Sequence, residues 1–228
     1  MTGIIAAMEK ELEFLKAHIE GLTVRTISGI DFFTGSISGR PVVAAVCGIG
    51  KVNAAICAQS MILTFAPDCI INTGVGGALN KELRLLDVVA ASGAVQHDVD
   101  TTALGDAPGF VSTVNVIEFP IDKALTEGLL KSIRAIGVRG LNGLVATGDQ
   151  FISQSADKQR ISQSFGAVVC EMEGGSIAQV CYVNKTPCAI LRAISDGADE
   201  GANLSYTAFA AKAAENSAKA LLHFIAHS

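Results

Sequence analysis

The chain has 228 residues, half of them apolar, and a formal net charge of −5. That length suits one domain large enough to bury most of its apolar surface. The acidic balance argues against binding nucleic acid or an anionic membrane surface, since both need a basic face, and no apolar run reaches the roughly 18 to 20 residues of a membrane span. Met8 gives way at once to Glu9-Lys10-Glu11 with no basic stretch before it, so no export signal is expected and the protein reads as cytoplasmic. The cysteines (Cys47, Cys57, Cys69, Cys170, Cys181, Cys188) form no C-x-x-C pair and mostly sit in apolar runs. They are expected as buried thiols in a reducing compartment, with no metal site, no disulfide framework and no cofactor.

Residues 3–7 predict a short buried strand. Residues 8–19 predict a helix, with Met8, Leu12, Leu15 and Ile19 on one stripe and Glu9, Lys10, Glu13 and Lys16 opposite. Two strands, 32–37 and 42–47, are joined at Ser38-Gly39-Arg40-Pro41, which makes the sheet mixed. A helix over 52–65 and strands over 69–73 and 87–95 follow. Next come a helix over 122–136, a strand over 141–146, a helix over 155–165, a strand over 167–170 and a helix over 174–183. The last strand covers 188–194, and an Ala-rich helix over 205–226 closes the chain. This alternation predicts an α/β fold, a three-layer sandwich with a central mixed β-sheet flanked by helices, formed as a single domain over 1–228. In such sheets ligands bind beyond the carboxyl ends of the strands.

Several strand ends carry chemistry. Glu11 lies beside the Met8/Leu15 stripe, where a carboxylate meets a ligand or a water in a cleft, or simply favours the positive end of its helix. Gly48-Ile49-Gly50-Lys51 departs from a P-loop, because Val52 stands where Ser or Thr would hold magnesium. Gly74-Val75-Gly76-Gly77 departs from a dinucleotide turn at Leu79-Asn80. Both runs are expected as tight strand-to-helix turns whose glycines also let backbone groups approach a flat ligand. Glu171-Met172-Glu173 sets two carboxylates around a soft thioether, a natural seat for a ribose diol, or else two acids capping a helix. Arg192-Ala193-Ile194-Ser195-Asp196 breaks an apolar strand with Arg192 and ends it on Asp196, a general acid oriented by Ser195 or an ordinary turn residue. Phe151 is a candidate to stack on a planar base, although core packing is the commoner fate of such a residue. His97-Asp98-Val99-Asp100 reads as a loop or subunit-contact feature, since its side chains would point to alternate sides of an extended chain.

Taken in order and spacing, these motifs, with Gly3-Ile4-Ile5-Ala6-Ala7-Met8 and Asn72-Thr73 added, resemble bacterial 5′-methylthioadenosine/S-adenosylhomocysteine nucleosidases of the nucleoside phosphorylase/hydrolase superfamily, nearly end to end. The resemblance implies Glu11 as the base that deprotonates water and Asp196, placed by Ser195, as the acid that protonates adenine N7. It implies Glu173 on the ribose hydroxyls, Met172 against the sugar, Phe151 stacked on adenine, and the Ile152 backbone reading the base edge. Gly76 and Gly77 belong to the substrate turn, and Ile49 and Tyr206 line the pocket for the 5′-thio substituent. Thr101 and Leu104 would reach in from the second subunit of a homodimer. Two departures stand out: Val75 lies in a turn that commonly reads Ser-Ala-Gly-Gly, and Tyr206 where Phe is common. A phosphorolytic enzyme on the same fold would need cationic donors at the attack site, and a non-catalytic nucleoside sensor would not need both Glu11 and Asp196.

Overall fold

The computed structural model describes residues 1–197 and 202–228, and the side chains of all of these except 202–205. Strand β1 (Thr2–Ala6) is an apolar run buried from Gly3 onward, as a strand paired on both edges must be. It lies parallel to β4 (Arg40–Val46) on one side and β5 (Cys69–Ala78) on the other. Helix α1 (Glu9–Lys16) follows β1 at once, and β2 (Glu20–Ile27) and β3 (Ile30–Ile37) continue the sheet antiparallel beyond β4. Helix α2 (Lys51–Phe65) leads into β5.

Beyond β5 the sheet curls back on itself. β10 (Cys188–Asp196) runs parallel to β5 and antiparallel to β6 (Val88–Gln96), and β6 runs parallel to β8 (Gly140–Thr147). β8 pairs with β9 (Val169–Glu171), which returns antiparallel to the Gly77–Ala78 end of β5 and closes a ring of strands. A short strand, β7 (Glu118–Pro120), adds to β6. Three helices of the second half are α3 (Lys123–Ala135), α4 (Ser155–Phe165) and α5 (Gly174–Asn184). The closing helix α6 (Ala202–His227) packs on β10 and β5 with α1 and α3 beside it. Its buried Ala213, Ala214 and Ala218 let it lie close to the sheet, and Ser217 meets Thr73 of β5, Oγ to Oγ, at 2.8 Å. Helices α2 and α5 pack together and form the other helical layer. The expected three-layer mixed α/β sandwich is therefore the fold. Among the described residues no helix is long and apolar enough to cross a membrane.

The elements differ from expectation in three places. β2 and β7 were not predicted: β2 is an exposed edge strand, with Leu22 and Val24 in solvent, and it leaves no pattern of one buried face. Gly74-Val75-Gly76-Gly77 is no turn but the buried continuation of β5, paired with β10 and β9. Helix α1 stops at Lys16, one turn short.

Candidate active site

The carboxyl ends of β1, β5, β9 and β10 border a cleft of about 390 Å³, lined among others by Met8, Glu11, Ile49, Phe151, Met172, Glu173, Ser195, Asp196 and Tyr206. Among the described residues, a larger hollow of about 840 Å³ near Leu79, Lys81 and Gly197 is lined by no carboxylate.

Glu11 is 4 % exposed, and both of its oxygens are held by backbone amides. Ala7 and Met8 donate to Oε2 at 3.0 and 2.9 Å, and Val75 donates to Oε1 at 3.0 Å. The helix-end role and the cleft role thus coincide in one residue. Burial pushes its carboxyl above the usual range, while the Arg192 charge and the three amides pull it back. The departure at Val75 proves immaterial to this contact, because the donor is a main-chain N–H. Gly74 has to be glycine here: a Cβ would stand 2.6 Å from Glu11 Oε1. Gly77 likewise makes room for Asp196, since its Cβ would fall 2.6 Å from Oδ2, and a Cβ on Gly76 would fall 2.6 Å from Val169. The glycine run is a flat stretch of strand that lets two carboxylates lie against it.

Asp196 is 3 % exposed. Ser195 Oγ donates to its Oδ1 at 2.9 Å, as expected, and Lys158 of α4 approaches Oδ2 at 3.2 Å. Burial pushes its carboxyl above the usual carboxylate range, and Lys158 and Ser195 oppose the rise. Burial pushes both Glu11 and Asp196 upward, and what differs is the kind of donor that holds them.

Glu171 and Glu173 separate into different roles. Glu171 accepts from Glu173 N at 3.0 Å and Gly174 N at 2.7 Å, and it binds Arg192 and Thr147. It is spent inside the protein. Glu173 takes the amide of Gly50 on Oε1 at 2.9 Å, and its Oε2 lies 3.9 Å from Arg192 Nη2. Burial and the Glu171 charge push it up to about 7, against the pull of Arg192. The guanidinium of Arg192, the residue that breaks the apolar strand, bonds Glu171 and Asn72. The P-loop-like turn also gives its donors to protein carboxylates: Gly50 N to Glu173, Lys51 N to Asp149 at 2.7 Å, and Lys51 Nζ to Asp98 at 2.6 Å. The last contact ties down the His97-Asp98-Val99-Asp100 loop.

Phe151 is half exposed and meets Tyr206 edge-on, ring centroids 5.5 Å apart. Ile152 is buried in a smaller apolar cluster with Val95 and Ile161 and does not line the cleft. Thr101 and Leu104 are not lining residues either; Thr101 bonds Asp106, and Leu104 is 84 % exposed. Sequence reading missed Lys158, Cys170 and the Arg192–Glu171–Asn72 cluster. Lys158 carried no usable signal, being one charge on a polar helix, and Cys170 is a thiol in the cleft wall that burial pushes up to about 12. Among the described residues no group of His, Cys, Asp and Glu could hold a metal ion.

The profile of the Phosphorylase superfamily matches residues 2–226. A 5′-methylthioadenosine/S-adenosylhomocysteine nucleosidase of Staphylococcus carnosus is 38 % identical over 226 residues, 99 % of each chain. The chain belongs to that nucleosidase family. Another member, from Neisseria meningitidis and solved in complex with methylthio-immucillin-A, superposes with a TM-score of 0.95 at 38 % identity, over 100 % of this chain and 99 % of that one. The futalosine hydrolase of Helicobacter pylori has the same fold, with a TM-score of 0.93 at 34 % identity, covering 98 % of this chain and 96 % of that one. A nucleosidase of this family is an N-glycosyl hydrolase, and four buried carboxyls, Glu11, Glu171, Glu173 and Asp196, line the cleft.

Proposed function

We propose that the chain hydrolyses the N-glycosidic bond of 5′-methylthioadenosine and S-adenosylhomocysteine, and of 5′-deoxyadenosine as well, releasing adenine and the 5-substituted ribose. The observation that carries this reading is that Glu11 and Asp196, far apart in sequence, are both buried and border one cleft together with Glu173. In the reaction C1′–N9 breaks, its electron pair leaves with the base, and Asp196 delivers a proton to N7 so that adenine departs neutral. Positive charge then develops on the sugar, as in other glycoside cleavages. Glu11 takes a proton from water as the water oxygen bonds to C1′. The water-side carboxylate and Glu173, on the ribose hydroxyls, supply preorganised negative charge to the cation. Met172 lies against the sugar, Phe151 stacks on the base, and Gly76 and Gly77 leave room for it. Ile49 and Tyr206 flank the 5′ substituent.

We read the active form as a cytoplasmic homodimer of single-domain subunits, with Thr101 and Leu104 of one copy completing the cleft of the other. The exposed apolar side chains Val52, Ile56 and Leu104 support a covered face. The deciding experiment follows adenine release from methylthioadenosine with and without phosphate. Free sugar is expected in both cases; sugar 1-phosphate would make the chain a phosphorylase, and no release at micromolar enzyme would make it a binding domain. Arg192 favours hydrolysis, since this buried cation is already engaged by Glu171 and Asn72.

A further inference from the structure

We propose that Lys10 and Tyr206 form a rim that recognises a carboxylate at the far end of the 5′ substituent, so that the chain favours 5′-thioadenosines with an anionic tail over neutral ones. This rests on the function proposed above and adds a ranking to it. Tyr206 lines the cleft with its ring against Phe151, so its body belongs to the apolar wall. Its hydroxyl does not. Lys10 Nζ donates to Tyr206 Oη at 3.1 Å and stands 4.6 Å from the ring centroid, and the hydroxyl's own proton points to the Met8 thioether sulfur at 3.4 Å. A thioether is a weak acceptor, and that proton would gain by moving to a carboxylate oxygen.

Lys10 is exposed and brings three donors, of which the phenol takes one. The cation and the phenol proton are therefore presented together where a tail running past Met8 and Ile49 would leave the cleft. A methylthio group is too short and too apolar to use either. The carboxylate of an S-homocysteinyl tail has the chemistry to use both. Ordinary Phe at position 206 would offer only the wall, which is why the tyrosine matters here.

The test compares two nucleosides of equal size: 5′-S-(3-carboxypropyl)-5′-thioadenosine and its primary carboxamide. At low salt, kcat/KM for adenine release is expected to favour the carboxylate by about 3- to 10-fold, mostly through KM, as for a partly exposed charge-assisted contact. Lys10→Met should bring the ratio close to one and Lys10→Glu should invert it, while Tyr206→Phe should reduce it. General damage to the fold lowers both substrates together and leaves the ratio intact. A ratio near one in the wild-type protein, or one indifferent to both Lys10 variants, would overturn the proposal. If no base is released from either nucleoside or from methylthioadenosine, the hydrolytic reading fails instead; the same ratio is then measured as Kd by calorimetry, with the same expectations.

Discussion

Glu11 and Asp196 are both buried carboxyls at strand ends beside the glycine stretch of β5, but they are secured by different means. Glu11 is gripped by three main-chain amides from the β1–α1 junction and from Val75. Asp196 is held by two side chains, the neighbouring Ser195 hydroxyl and a lysine from a separate helix. A backbone grip is insensitive to which side chains surround it, and it fixes position. A side-chain grip changes with substitution at Ser195 or Lys158, and with it the pull on the Asp196 carboxyl. In the proposed reaction the fixed group aims a water, and the adjustable one holds and releases a proton.

Direct substitution tests that contrast most severely. Glu11→Gln and Asp196→Asn are each expected to lower kcat by roughly 10² to 10⁴-fold. Both should also lower stability: Glu11→Gln by about 1–3 kcal/mol, because a Gln nitrogen would face amides that need an acceptor, and Asp196→Asn because the buried Lys158 loses its counter-charge. Adding Lys158→Met should relieve only the second loss in thermal unfolding, and equal relief of both would erase the distinction. Next in size, Gly74→Ala should reduce turnover by about 10-fold by pushing Glu11 off its amides, since overpacking of a closed site costs about 1–3 kcal/mol; full activity would mean that the grip is looser than its geometry suggests.

The pH profile gives subtler effects. Activity that needs ionised Glu11 falls as pH drops through its raised pKa, and activity that needs protonated Asp196 falls as pH climbs through its own. Lys158 favours the Asp196 carboxylate, so Lys158→Met should move the alkaline limb to higher pH and leave the acid limb in place. Movement of both limbs together would show that the lysine acts on the whole cleft. The smallest change concerns Glu173. Its carboxyl, pushed up to about 7, loses ribose-accepting capacity on protonation, so KM should rise several-fold as pH falls below about 7 while kcat changes less.

Which residues were legible beforehand follows from the range of the forces involved. Apolar runs revealed β1 and β4, and a one-sided apolar stripe revealed α1, because burial of a whole strand or of one helix face leaves a local trace. β2 left none, as it is an edge strand with almost no buried residue. The glycine run misled, because glycine marks both turns and strands that another group must approach closely, and only the positions of Glu11 and Asp196 reveal which applies.

The sequence by itself determined the order of elements, the mixed α/β class and the placing of acids at strand ends, since these depend on residues a few positions apart. Tertiary structure alone decided that Arg192 takes Glu171 and leaves Glu173 to face the cleft, that Lys158 arrives at Asp196, and that Lys10 meets Tyr206 across α1 and α6. A charge in a sequence has many possible partners. Which one it meets is fixed by the closure of β10, β6, β8 and β9 onto β5 and by the return of α6 across the sheet, and no local pattern encodes that closure.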